Sequence, residues 1–273
     1  MIVLTLFTLT ACSQKKSKPV ISKSPEVIHS TKPTKKPTKE PVNKEVSTAE
    51  PARTLAPTVK SVGSYLIVID AGHQAKGNSD KEPVGPGATE TKKKVSSGTR
   101  GVKTGLYEYK LNLIVADKLN KMLVEKGYRV MMIRTSNHVN ISNSKRATIA
   151  NDAHADALIR IHANGSENSH VNGVMTICNT KKNPYNASIY SQCRKLSDYV
   201  LKAVLDTTKA NSKGVWETDT MTGINWSLVP TTIVEMGYMT NPKEDEKLST
   251  EDYQDKIVLG IATGLDQYFS DLD

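Results

Sequence analysis

The stretch "LIVIDAGHQ", residues 66–74, decides how this chain is read. Four apolar residues run into Asp70-Ala71-Gly72, and the next residue is His73. A short apolar run closed by a glycine turn reads as a buried strand. Leaving a strand through Asp-x-Gly is ordinary, so His73 acquires meaning only if other residues of the right chemistry join it.

Working outward, residues 74–104 are rich in Gly, Ser, Thr, Pro and Lys and read as a long loop. Loops of that length inside a compact domain are usually functional or disordered. From Leu106, apolar residues at 111, 115, 119 and 122, with neighbours at 114 and 123, mark one face of a helix that Gly127 is placed to end. "YRVMMIRT" is the next strand, and residues 142–153 form a short helix carrying Arg146, Ala147, Ile149 and Ala150. "ADALIRIHANG" is a strand that again ends in a histidine, and "VNGVMTIC" is another strand. A helix over "YNASIYSQCRKLSDYVLKAVL", a strand "VPTTIVEMGYMTN" and a closing helix "TEDYQDKIVLGIATGLDQYFS" complete the pattern. Strands alternating with helices predict a single α/β domain: a twisted, mostly parallel sheet with helices on both faces.

Sites in such sheets form just outside the carboxyl ends of strands. That rule gathers His73, His162 and Glu235, each following the apolar run of its own strand, with Glu108 opening the helix after the long loop. Two imidazoles and a carboxylate suit zinc, with a fourth position left for water. A second, unbound carboxylate would then handle the proton. Glu235 is the hardest of these to dismiss as structural, because it interrupts the apolar strand "TIVEMG", where an unpaired charge is costly. His138, His154 and His170 sit in polar contexts and read as structural or exposed.

The pieces "IVIDAGHQ", "GLYEYKLNL", "VMMIRTSN", "ISNSKRATIAN", "ADALIRIHANGS" and "PTTIVEMGYMTN" together resemble the zinc-dependent N-acetylmuramoyl-L-alanine amidases of the amidase-3 family, in the family's order and over nearly all of residues 65–269. The resemblance implies one zinc ion held by His73, Glu108 and His162, with Glu235 as the catalytic carboxylate. It implies peptidoglycan as substrate, cut between the lactyl group of N-acetylmuramic acid and L-alanine. A non-catalytic wall-binding module of the same fold and a zinc peptidase acting within the stem peptide are the competing readings. Asn164, Asn241, Arg160 and Trp226 are candidate substrate contacts. Arg160 departs from the resemblance, since the family often has serine there. It is open to pairing with Glu235, holding a substrate carboxylate or turning away into a salt bridge. For Trp216 and Trp226, groove contact and core packing stand level. The long loop lies between two presumed ligands and is expected to shape access to the cleft.

The ends of the chain add a location. Residues 1–11 resemble an apolar export signal, and "LTAC" resembles a lipobox ending at Cys12, the expected lipidation site, although a basic leader is absent. Residues 12–61 read as a disordered Lys/Pro/Thr-rich linker, and residues 62–273 as the catalytic domain. Within 13–60 there are eleven Lys+Arg against four Asp+Glu, a net +7 of the chain's +9. The basic charge therefore belongs to the tether, which argues against nucleic acid as a partner. An exported lipoprotein anchored in the membrane and facing the cell wall is expected, and an activator protein is left open. Cys178 and Cys193 are equally compatible with a disulfide and with two free thiols.

Overall fold

The structure, a computed structural model, describes residues 62–272. The expected signal, Cys12 and the linker lie outside the described residues. No helix among the described residues is long and apolar enough to cross a membrane.

The chain runs through β1 (Leu66–Ala71), β2 (Asn78–Pro83), β3 (Thr91–Val95), α1 (Glu108–Glu125), β4 (Arg129–Met132), α2 (Asn143–Asp152), β5 (Ala157–Asn164) and β6 (Val174–Cys178). It continues through α3 (Tyr190–Thr208), β7 (Ser212–Glu217), α4 (Thr222–Asn225), β8 (Thr231–Tyr238), α5 (Pro242–Leu248) and α6 (Glu251–Ser270). Six strands form one sheet in the order β4-β1-β5-β8-β6-β7. β4, β1, β5 and β8 are mutually parallel, and β6 runs antiparallel to β8 while pairing in parallel with β7. The expected α/β architecture is present, with helices on both faces.

Alternation along β1 explains the two layers. Ile67, Ile69 and Ala71 face a large core shared with Leu111, Val115 and Leu119 of α1 and with α3 and α6. Val68 faces the other side, with Leu158, Val229 and Ala150 of α2. Asp70 shares that second face and is fully buried. Helix α1 buries 108, 111, 112, 115, 116, 119 and 123. Its face is rotated slightly from the expected one, since Ile114 is exposed and Met122 only half-buried. The rotation carries Glu108 inward. Gly127, with φ 90°, ends the helix as expected.

Three features differ from the sequence expectation. The segment 74–104 is not a featureless loop, because β2 and β3 pair as an antiparallel hairpin within it. "NSDKEP" and "TKKKV" show no apolar alternation, so tertiary contacts hold the hairpin rather than propensity. Glu82 accepts from the backbone N–H and hydroxyl of Ser144, the Trp226 indole donates to the Pro83 carbonyl at 3.0 Å, and Asn225 donates to the Val84 carbonyl. The unforeseen strand β7 lies at the sheet edge with a mixed, half-exposed pattern. Cys178 and Cys193 are free, buried thiols, and burial pushes them up to about 11 and about 12.

Candidate active site

The turn after β1 is held from beneath by two arginines. Arg134, after β4, donates to the carbonyls of Ala71, Gly72 and Tyr109. Arg146, fully buried on α2, donates to the carbonyls of Ala71 and His73 and to the Asp70 carboxylate at 2.6 Å. This clamp fixes a left-handed His73, φ 62°. Gly72 is needed for space beside the neighbouring strand. A Cβ there would lie 2.2 Å from Nε2 of His162, so the glycine makes room for the second imidazole.

His73 Nδ1 donates to the Ser96 carbonyl at 3.0 Å, which leaves Nε2 free to act as a ligand. Glu108 extends from the first residue of α1. Its Oε2 accepts from the Thr99 backbone N–H at 2.8 Å, and Oε1 from Ala163 N–H and Asn112. Gly98, with φ +81°, lets the chain cross directly over this carboxylate, since a Cβ would fall 2.5 Å from Oε2. His162 comes from the end of β5 and presents Nδ1. Its Nε2 is enclosed and has no hydrogen-bond partner among the described residues.

These three residues converge. His73 Nε2 lies 3.0 Å from Glu108 Oε1, and His162 Nδ1 lies 3.1 Å from His73 Nε2 and 3.2 Å from Glu108 Oε1. They are the group of metal-binding type among the described residues. A tetrahedral ion with bonds of about 2.0–2.1 Å spaces its ligands by about 3.3 Å, so the triangle is the right size and the N, N, O donor set fits zinc. Burial pushes His162 down to about 4, against the opposing pull of Glu108. The neutral imidazole is the form that binds metal. Burial alone would raise the Glu108 carboxyl, but His162 and then His73 beside it hold it well below the usual range.

Glu235 stands beside this triangle without joining it. It is half-buried, and its Oε2 is enclosed with no hydrogen-bond partner among the described residues. Burial, reinforced by the nearby Glu108 and opposed by Arg160, pushes it up to about 8. Two hollows meet at these residues. One, of about 520 Å³, includes Asn164 in its lining, and the other, of about 300 Å³, includes Arg160. His73, His162 and Glu235 line both.

The remaining sequence candidates divide. Asn164 lines the larger hollow. Arg160 turns into a salt bridge with Asp70 at 2.9 Å and also lines the smaller hollow. Asn241 caps α5, its Oδ1 accepting from the N–H groups of Lys243 and Glu244 and its Nδ2 donating to Val171, and it lines neither hollow. Trp226 also lies outside both linings, its indole N–H spent on the hairpin. Trp216 is 45% exposed on the edge strand β7. Residues not anticipated include Asp70, Arg134, Arg146, Ser96, Thr99 and Asn112. Asp70 carried a readable signal, a charge inside an apolar strand, the same signal that singled out Glu235.

The N-acetylmuramoyl-L-alanine amidase family model matches residues 67–267. A solved amidase from Clostridium difficile 630 is 28% identical with a TM-score of 0.62, over 76% of this chain and 98% of that one. The Ami1 amidase of Mycobacterium smegmatis shares the fold at a TM-score of 0.70 and 20% identity, over 78% of this chain and 100% of that one. The uncharacterized protein YqiI of Bacillus subtilis (strain 168) is 30% identical over 76 residues, 28% of this chain. The chain spans only about a third of the length of the curated relatives it matches, 36% and 31%. With the fold, the strand-end residues and the family match in agreement, the chain belongs to the N-acetylmuramoyl-L-alanine amidase family, amidase-3.

Proposed function

We propose that this domain hydrolyses peptidoglycan at the amide between the lactyl group of N-acetylmuramic acid and the L-alanine of the stem peptide. In this reading His73, Glu108 and His162 hold one zinc ion and Glu235 is the catalytic carboxylate. The observation that carries it is the pairing of a three-donor triangle with a separate carboxylate whose enclosed oxygen is left unbonded. Zinc, when bound, supplies Lewis acidity and brings the pKa of a water towards about 7. Glu235 takes the proton of the attacking water and passes it to the departing alanine nitrogen. In the metal-free site burial pushes the Glu235 carboxyl up to about 8, and a bound divalent ion would favour its ionised form, the one that takes the first proton. Arg134 and Arg146 keep the His73 turn rigid, and Thr99 and Asn112 hold the Glu108 carboxylate in register.

Export and anchoring through a lipid on Cys12 belong to the same proposal, and place the domain against the wall. Radiolabelled palmitate entering the wild type but not Cys12→Ser is the expected result. The activity test incubates the purified chain with peptidoglycan and zinc and identifies fragments by mass spectrometry. Stem peptides beginning with L-alanine, absent when a chelator is added, are expected. Cuts within the peptide would replace the amidase reading with a peptidase. Sedimentation with the wall and no fragments would replace it with a binding module.

A further inference from the structure

The two hollows that meet at Glu235 differ in charge. The larger is lined by Ser96, Thr99, Asn164, Ser166, Thr240 and Glu167 besides the residues of the triangle, and contains no lysine or arginine. The smaller is lined by Lys92, Lys93 and Arg160 together with Met221, Gly223 and Ile233. Every lysine and arginine lining the two hollows is therefore in the smaller one.

These cations are not equivalent. Lys92 donates to the Thr220 carbonyl and so ties the hairpin to the opposite wall. Arg160 is fixed by Asp70 through Nε and by Asn143 through Nη2 at 3.1 Å, while Nη1 packs against Gly223, where a Cβ would fall 1.7 Å away. Asp70 already serves Arg146, so it neutralises only one of the two guanidinium groups it touches. Lys93 is exposed on β3, and its side chain makes no hydrogen bond or ion pair among the described residues. Beneath the site Arg146 and Arg160 share the single buried carboxylate of Asp70, and Arg134 is held by backbone carbonyls. Lys92 and Lys93 add their charge to the smaller hollow.

We propose that the cleft is divided by charge: the arm formed by Lys93, Lys92 and Arg160 takes the leaving side of the amide, a peptide bearing a free carboxylate, and the cation-free arm takes the neutral sugar. The inference rests on the amidase reading above and adds to it the side on which each half of the substrate lies. Lys93 is the specificity-determining residue of this arm. Hydroxyl and amide groups without cations suit a polyol, and mixed cationic and apolar walls suit an acidic peptide.

Two substrates test it, a muramoyl tripeptide of L-alanine, γ-D-glutamate and L-lysine, and the same molecule with the glutamate α-carboxylate converted to the amide. The metal-loaded full chain should hydrolyse the carboxylate form with a kcat/KM roughly tenfold higher, as expected for one charged hydrogen bond. Lys93→Ala should reduce that preference and Lys93→Glu should abolish or invert it. Independently of catalysis, calorimetry on the metal-free chain should show the free tripeptide binding more tightly than its amide, with a difference that shrinks in salt. Equal hydrolysis of both substrates would leave the amidase reading standing and overturn the charged arm. Hydrolysis of neither would overturn the amidase reading. In that case tighter binding of the carboxylate peptide, lost in Lys93→Glu, would still uphold the arm, and equal binding would overturn it as well.

Discussion

Glu235 pairs with His162 across the parallel β5–β8 ladder, so the proposed catalytic carboxylate and a proposed metal ligand leave the sheet on adjacent strands. Strands are spaced by about 4.8 Å, near enough for both groups to serve one water. Glu235→Gln keeps that placement and removes only the proton acceptor. Turnover should fall by roughly two to four powers of ten while bound zinc stays stoichiometric. Rate measurement alongside metal analysis checks this, and retained turnover would take the proton-transfer role away from Glu235.

The contact between Gly72 and His162 makes a second prediction. An added methyl group must push the imidazole away from the other two donors. Gly72→Ala should weaken zinc binding by about 10–100-fold, the range seen when the support of a metal ligand is disturbed. The far-ultraviolet circular dichroism should not change. Unaltered affinity in a competition titration with a chelating dye would show that the ring has room to move.

Asp70 predicts a dependence on acid. Burial alone would raise its carboxyl, but Arg146 and then Arg160 overcome this and hold it well below the usual range. A lowered folded value means that the stabilisation is complete above the unfolded value of 3.8 and is lost as pH falls through the folded one. Asp70→Asn should cost about 3–5 kcal/mol at pH 7 by leaving two buried guanidinium groups without their carboxylate. Denaturant titrations should show the gap between wild type and variant narrowing below pH 4. A constant gap from pH 7 to pH 2 would contradict the assignment.

Asn241 is both a candidate substrate contact in the sequence and a helix cap in the structure. As the cap of α5, its removal in Asn241→Ala should cost about 1 kcal/mol of stability. The KM for peptidoglycan fragments should be unchanged. A raised KM with full stability would favour the role as a substrate contact.

Most of what places the site was legible in the chain. The apolar runs before His73, His162 and Glu235 report buried parallel strands directly, because such strands are apolar on both faces. Glu108 was readable from its position at the start of an amphipathic helix. The hairpin and β7 were not readable, since their residues are polar and their pairing depends on contacts from α2, Trp226 and β6. The antiparallel sense of β6 also leaves no local mark. Arg134 and Arg146 were hidden for a different reason: a long cationic side chain usually signals solvent, and here backbone carbonyls distant in sequence take the place of water.

The sheet order has a kinetic consequence. Residues 73, 162 and 235 come together only when β1, β5 and β8 have been laid side by side, contacts that span most of the folded chain. No two of the three proposed ligands, His73, Glu108 and His162, are close neighbours in sequence, so an unfolded chain offers no local chelate to preload. In the proposed site, metal capture must therefore follow the pairing of β1 with β5 and the docking of α1, and the rate at which a refolding chain withdraws zinc from a weak indicator should track that long-range pairing rather than the first helix. The ion would act as a clock for the β1–β5 pairing.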